Sequence, residues 1–431
     1  MKIFNLFKPN IEKLKTGKKV TPLIKALKYN KDWNIRKSAA EALTAIGWEP
    51  INGDGIYYLI ALNDWNKLIH IGEPAVEPLI QVLKDKDSFD LHRESIKALG
   101  AIKDKRTIEP LIELLQNDKI YLREEVVKAL GQIGDEKVVN PLISVLQNET
   151  GSTLRCETIR ALGLTKDKRA VKPLTEALQH ESQKPRLDAN TTIITEVAIA
   201  LGKIKDERAI TPLVSLYNVY TDYVNKKISN ALLTINTELS KFYFAILNSD
   251  ENNLLKINNA FDLAVASLYH QNSWVRRQVI WALLKLRDYR AVGQILKTLN
   301  DNHLNVVSYA IYALGEIGND KAVIHLMDIL LKKDFPTCKN VDSLTFSEHW
   351  SDPRSEAAVA LGKIKDKRAF KALMAVIEEK GNDSLIEKSA WALSELGDKR
   401  AIEPLKSAKN LTNSPGEVQK AIDKLEKLYV L

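Results

Sequence analysis

The chain has 431 residues, 45% of them hydrophobic and 27% charged, a composition that can bury a sizeable core and excludes a disordered chain. No apolar run approaches the roughly 18 residues that a membrane-spanning helix needs, and two cysteines outside any C-x-x-C pattern, Cys156 and Cys338, argue against a disulfide framework or thiolate zinc site and for a reducing cytoplasm. The net charge of +8 is local: residues 1–37 hold eleven Lys/Arg and two acids, while the other 394 residues carry 52 basic and 53 acidic side chains, so no nucleic-acid-binding surface along the whole molecule is indicated.

Residues 1–47 are read as a basic N-terminal cap and a first repeat. Ile3, Phe4, Leu6 and Phe7 are too short a run for the core of a secretory signal. They are expected to cover the first repeat, with Lys13, Lys15, Lys18 and Lys19 solvated beside them. The same four lysines are candidate partner-binding residues for an anionic membrane surface, a nucleic acid or an acidic partner. At Ala42 a phrase begins that recurs along the chain, an alanine usually followed by Leu and a small residue. Its later alanines are Ala98, Ala129, Ala161, Ala200, Ala231, Ala282, Ala313, Ala360 and Ala392; five spacings are 31 or 32 residues, and the others (56, 39, 51 and 47) are one repeat plus an insertion. Residues 48–72, with Trp48, Tyr57, Tyr58 and Trp65, are expected to form an extra helical pair, and 73–413 a repeat array interrupted near 179–189, 237–272 and 332–353. In 414–431, Ser414-Pro415-Gly416-Glu417 opens a capping helix whose apolar face is Val418, Ile422, Leu425 and Tyr429.

Each unit reads as two helices. In residues 121–148, Leu122, Val126, Leu130 and Ile133 form one helical face, Gly134 ends that helix, and Asp135 opens a second with its own stripe of Val139, Leu142, Ile143 and Leu146. Pro22, Pro78, Pro110, Pro141, Pro173, Pro212 and Pro404 stand just before a Leu in the second helix's first turns, where a missing N–H costs least; in strands they would break seven ladders. Gly100, Gly131, Gly163, Gly202, Gly315 and Gly362 follow Ala-Leu inside the first helix, which predicts close approach of neighbouring helices. Units this small cannot bury their apolar faces alone, so the expected fold is an all-α, alpha-alpha superhelix, a single elongated solenoid.

The words Ala161-Leu162-Gly163…Asp167-Lys168-Arg169-Ala170-Val171-Lys172-Pro173-Leu174, with their counterparts from Ala200 to Leu213 and from Ala392 to Leu405, resemble the HEAT-like repeats named after phycobiliprotein (PBS) lyases. The resemblance covers nearly the whole chain. Phe7-Lys8-Pro9-Asn10 and the stretch Gly72 to Ile80 also look similar to the head of a prokaryotic subgroup of HEAT-repeat proteins. The resemblance implies an armadillo-like helical solenoid and protein–protein interaction; a repeat's name transmits no activity.

Catalytic patterns are weak by comparison. HEAT-like deoxyhypusine hydroxylases hold a di-iron site on several His-Glu pairs, whereas only His180-Glu181 forms such a dipeptide here, so no metal or other cofactor is expected. Phosphate loops and a G-x-S-x-G elbow are lacking, and Cys338 with His349 carries nothing that visibly lowers a thiol pKa. The Asp-x-Arg words (Asp104/Arg106, Asp167/Arg169, Asp206/Arg208, Asp288/Arg290, Asp366/Arg368, Asp398/Arg400) are expected to form a ladder along the stack, as are Arg36, Arg123, Arg155, Arg276 and Arg354, each six residues before its alanine. Function is expected where the period breaks, above all in the 332–353 loop, with Phe335, Phe346, His349 and Trp350 as candidate partner-binding residues. The expected role is a monomeric, non-enzymatic cytoplasmic scaffold that binds a protein through its concave second-helix face and same-edge loops. An enzyme of the lyase or hydroxylase branch and a nucleic-acid binder resembling HEAT-like DNA glycosylases are the alternatives.

Overall fold

The first-helix pattern around residues 121–133 becomes the helix Ile120–Ile133 in the computed structural model. A helix of the same 14 residues returns in Phe89–Ile102, Ser152–Thr165, Thr191–Ile204, Asp222–Ile235, Ser273–Leu286, Leu304–Ile317 and Asp383–Leu396. The structure describes residues 9–29, 32–49, 54–84, 89–116, 120–185, 189–332, 352–379, 381–413 and 415–429. Among the described residues there are 27 α-helices, ten short 3-10 turns and no strand. They form two compact units, Met1–Leu213 with Tyr220–Ile235, and Val214–Val219 with Asn236–Leu431. Each is a stack of paired helices, the α-α solenoid architecture.

The reversal between a first and a second helix follows one recipe. After Ile133, Gly134 takes a φ of 67°. The Asp135 carboxylate then accepts from the Lys137 amide at 3.0 Å, a 3-10 turn spans Glu136–Val138, and the second helix runs Val139–Asn148. The sequence pattern opens that helix at Asp135; the structure interposes a tight turn, which shares the unpaired N–H groups of the helix start with the aspartate. Pro141 is the third residue of its helix, as are Pro22, Pro78, Pro110, Pro173, Pro212 and Pro404.

Stacking rests on a glycine-to-alanine contact between successive first helices. A Cβ at Gly131 would lie 2.7 Å from the Ala161 Cα, so a side chain there has no room. Gly100 meets Ala129, Gly163 meets Ala200 and Gly202 meets Ala231 in the first unit, and Gly315 meets Ala360 and Gly362 meets Ala392 in the second, at 2.8–3.0 Å. Beside each contact a fully buried leucine fills the core, among them Leu130, Leu162, Leu201, Leu314, Leu361 and Leu393, each stabilising the stack by roughly 1.5–3 kcal/mol.

Two of the interruptions are shortened repeats. Within 48–72, Asp54–Ala61 packs against the second helices Val20–Leu27 and Val76–Leu83, and Trp65–Ile71 packs against the first helix Phe89–Ile102. Together they are one repeat's second helix and the next repeat's first helix, cut to seven residues. Within 237–272, Glu238–Leu247, the single turn Glu251–Leu254 and Ala260–Ser267 all pack against Ser273–Leu286. Here the shortened first helix is four residues long. Phe242 is fully buried, so part of this segment's aromatic content is core. The helix Pro415–Tyr429 packs on Asp383–Leu396 through Val418, Ala421, Ile422 and Leu425. Tyr429, expected on that face, is instead 51% exposed, and its hydroxyl donates to the Gly397 carbonyl at 2.5 Å. No described helix is long and apolar enough to cross a membrane.

Candidate interaction surfaces

The recurrent charges are absorbed by the stack. In each Asp-x-Arg step the carboxylate accepts from the arginine's own backbone N–H and also holds its guanidinium, as in Asp167–Arg169 at 2.7 Å. The same guanidinium then reaches the preceding repeat: Arg169 Nη2 donates to the Glu136 carbonyl at 2.9 Å, Arg208 to Lys168 at 3.2 Å and Arg368 to Asp320 at 3.2 Å. In these three steps the link between repeats is arginine to backbone carbonyl, and side-chain links run beside it where Arg106 meets Glu73 at 3.2 Å and Arg368 meets Asp320 at 3.5 Å. Arg290 instead covers the Phe261 ring at 4.0 Å, and Arg400 covers Phe370 at 4.7 Å. The neighbouring guanidinium holds Asp104, Asp167, Asp206, Asp288 and Asp366 below the usual carboxylate range, and Asp398 down to about 2.

The arginines six residues before each alanine tie a first helix's start to its partner's end. Arg123 pairs with Glu149 at 2.9 Å, Arg155 with Glu181 at 3.2 Å and Arg354 with Glu379 at 2.7 Å. Arg276 binds Asp301 through Nε at 2.7 Å and Nη2 at 2.8 Å. Arg36 donates Nε to the Tyr29 carbonyl.

The glutamate of the His-Glu dipeptide is engaged within the stack. Glu181 is fully buried, and its oxygens accept from Arg155, from Lys184 at 2.8 Å and from the Asn190 amide at 3.1 Å. Burial opposes its charge, but Lys184, the Asn190 amide and Arg155 together hold the carboxyl below its ordinary range. Among the described residues, no three His, Cys, Asp or Glu side chains gather as a metal site would require. Cys156 is buried, and that burial pushes its thiol pKa up. Cys338, Phe335, Phe346, His349 and Trp350 lie outside the described residues.

Of the basic head, Ile3, Phe4, Leu6 and Phe7 lie outside the described residues. Ile11 and Leu14 of the helix Ile11–Thr16 pack on the core of Leu23, Leu27, Ile35 and Ala39. Lys13, Lys18 and Lys19 are exposed and Lys15 half-buried. Among the described residues no carboxylate pairs with any of the four.

A further surface comes from the residue just before each repeat's alanine. In the first unit this position is charged in four repeats, Glu41, Lys97, Lys128 and Arg160, and holds Ile199 and Asn230 in two others. It carries ion pairs with Glu94 at 2.9 Å, with Glu125 at 3.4 Å, and from Arg160 to both Glu157 and Glu196 at 2.6 and 2.7 Å. In the second unit the same position holds Trp281, Tyr312, Val359 and Trp391. Tyr312 is 40% and Trp391 37% exposed. Tyr309 adds a second ring 5.6 Å from Tyr312, with Arg277 over it at 4.7 Å and the Lys363 ammonium 5.1 Å from the Tyr312 ring. The Trp391 ring lies over Gly362 of the preceding first helix. What marks this position is a change of residue type at a constant place in the repeat, so it carries no recurrent sequence signature.

Models of HEAT repeats match residues 76–156, 139–232 and 262–345, more than half of the chain, and the PBS lyase HEAT-like repeat matches 353–379 and 387–410. Similar solved structures include human deoxyhypusine hydroxylase in complex with glycerol, at 17% identity over 90% of this chain and 99% of that one, with a TM-score of 0.25. The CpcE–CpcF complex of the phycocyanin lyase from Nostoc matches at 18% identity over 74% of this chain and 94% of that one, TM-score 0.23. Importin beta matches at 15% identity over 94% of this chain and 60% of that one, TM-score 0.34. Among curated protein sequences there is no match.

Proposed function

The chain belongs to the HEAT-repeat family, and from that premise we propose that it is a non-enzymatic, monomeric cytoplasmic scaffold that binds another protein. The observation that carries this reading is the use of the recurrent Asp, Arg and Glu side chains in holding helices together, as in Arg169 on the Glu136 carbonyl and Arg155 on Glu181. The same chemistry at every step supports a stack; a catalytic centre needs one constellation that differs from the rest. Binding is assigned to the second-helix face and to the segments outside the repeat pattern: Lys13, Lys15, Lys18 and Lys19, and Phe335, Phe346, His349 and Trp350.

The full chain as bait in a native lysate, read by mass spectrometry, tests this. One protein should be retained reproducibly and lost when Phe335, Phe346 and Trp350 become alanine or when the four lysines are reversed in charge. Retention of nothing, or only of nuclease-sensitive material, overturns the reading. So does a purified chain carrying stoichiometric metal or visible absorbance, either of which points to an enzyme of the lyase or hydroxylase branch.

A further inference from the structure

We infer that the lysine-bearing reversal at the start of the first unit, with Lys13, Lys15, Lys18 and Lys19, takes an acidic, carboxylate-rich segment of the protein partner. This rests on the scaffold reading above and adds the chemistry that the partner presents. Between residues 9 and 29 the chain carries six lysines, no arginine and one acid, Glu12. Among the described residues no carboxylate pairs with any of the four lysines, whereas Lys97, Lys105, Lys184 and Lys424 of later repeats are each paired. Like charges gathered on so short a stretch repel one another, and an anion relieves that repulsion. The backbone beneath them is held in place. Ile11 and Leu14 pack on the core, and the Gly17, Lys18 and Lys19 amides donate to the Lys13, Lys15 and Leu14 carbonyls at 3.2, 3.0 and 2.9 Å.

Later repeats place a carboxylate of their own at this turn. In all six Asp-x-Arg steps the residue after the left-handed position is an aspartate whose carboxylate accepts from the amide two residues on. The distance is 2.9 Å at Asp104 and 2.8 Å at Asp167. In the first repeat the left-handed residue is Lys18, with a φ of 47°, and the residue after it is Lys19, whose side chain makes no such bond. The helix Val20–Leu27 follows at once, with no 3-10 turn between. A lysine thus stands where the rest of the array uses a carboxylate, in the repeat whose other cations are also unpaired.

Three observations favour a protein segment over other polyanions. Arginine suits phosphate because its planar fork meets two oxygens at once, whereas lysine is a point charge of no fixed geometry. The one arginine among the first 37 residues, Arg36, is buried with its Nε on the Tyr29 carbonyl. Beyond residue 37 the 52 basic and 53 acidic side chains nearly cancel, so no basic track continues for a nucleic acid to follow. Contact with a membrane surface needs exposed apolar side chains beside the lysines; among the described residues, no large apolar side chain before Leu62 is exposed. A segment rich in Asp and Glu matches what remains, opposite charge without an apolar or geometric requirement.

Calorimetric titration of the full chain with a peptide of alternating Glu and Ser tests this. About 12 residues suffice to span the reversal at about 3.4 Å per residue. The Glu peptide should bind saturably, at least about tenfold more tightly than the same peptide with Gln for Glu. Its affinity should fall by about threefold or more as NaCl rises from about 50 to about 200 mM. Lys13→Gln/Lys15→Gln/Lys18→Gln/Lys19→Gln should weaken it by about tenfold or more. Lys137→Gln/Lys166→Gln/Lys203→Gln/Lys256→Gln removes four exposed lysines of later repeats and gives the same net charge; it should weaken the peptide by less than about twofold. Lys13→Gln/Lys19→Gln, expected to weaken it by about threefold or more, serves should the first variant melt earlier than wild type. Absence of saturable binding, equal binding of both peptides, equal loss in the two fourfold variants, or tighter binding of oligothymidylate or phosphatidylserine vesicles overturns the proposal. A lysate partner retained equally by wild type and the first variant, yet lost with Phe335→Ala/Phe346→Ala/Trp350→Ala, would remove the acidic segment and leave the scaffold standing. Retention of no protein by wild type would remove the scaffold instead.

Discussion

Arg276 illustrates how one side chain joins three segments. Its guanidinium donates twice to Asp301 and, through Nη1, to the His270 carbonyl at 2.7 Å and the Gln271 carbonyl at 3.1 Å. Both charged groups are about nine-tenths removed from water, so their attraction is little screened while each has lost its hydration. Removing one partner is then far more damaging than removing both. Asp301→Ala should lower unfolding free energy by about 3–5 kcal/mol, measured by urea denaturation, with Arg276→Met/Asp301→Leu recovering much of the loss. The left-handed residue after each first helix predicts the opposite sign of change. Gly47, Gly134, Gly318 and Gly397 hold it in four repeats, but Lys103, Lys166, Lys205, Arg287 and Lys365 adopt φ of 53–61° in others. Lys205 is exposed, so Lys205→Gly should raise the urea midpoint by the equivalent of about 1 kcal/mol without changing the slope. The recurrent arginines were legible as architecture from spacing alone. Their targets were not, because a backbone carbonyl has no sequence signature.

At the scale of the helix, two glycines that look alike should respond in opposite directions. Gly131 faces the Ala161 backbone, whereas Gly293, in the helix Ala291–Lys297, has nothing within 4 Å of a Cβ. Alanine favours a helix by about 1 kcal/mol over glycine, so Gly293→Ala should stabilise by up to that amount. Gly131→Ala must push two packed helices apart, and overpacking of this kind costs about 1–3 kcal/mol; thermal melts of the two variants should move in opposite directions. The long first helices and their prolines were readable because 14 residues give the 3.6-residue period room to show. The shortened repeat within 237–272 was not. Glu251–Leu254 is one turn long and carries none of the recurrent phrase, so its segment reads as an insertion with blurred register. The rings of Trp281, Tyr312 and Trp391 were equally hidden, since all they share is the position just before the repeat's alanine.

For the molecule as a whole, stability in a stack is a sum of repeat and neighbour terms, and its pH dependence should separate into two limbs. His270 lies in the second unit, with Nδ1 accepting from the Asn272 amide at 3.1 Å and Nε2 buried without a partner. Burial, reinforced by the positive charge of Arg276, pushes its pKa from 6.5 down to about 4. The folded histidine stays neutral while the unfolded one takes a proton, so stability is fully present above pH 6.5 and falls as pH drops toward 4. A shift of that size corresponds to a loss on the order of 3 kcal/mol. The Asp-x-Arg steps act lower. Their carboxyls ionise below the ordinary 3.8 in the folded chain, Asp398 at about 2, so the stability they add is present above that ordinary value and is lost as pH falls through the folded values. Urea denaturation at half-unit steps from pH 7 to pH 2.5 should therefore show a first decline between pH 6.5 and 4 and a steeper one below. His270→Gln should flatten the upper limb and leave the lower, and Asp398→Asn should reduce only the lower. An upper limb of unchanged slope in His270→Gln would show that the buried imidazole is not what the second unit loses first in acid.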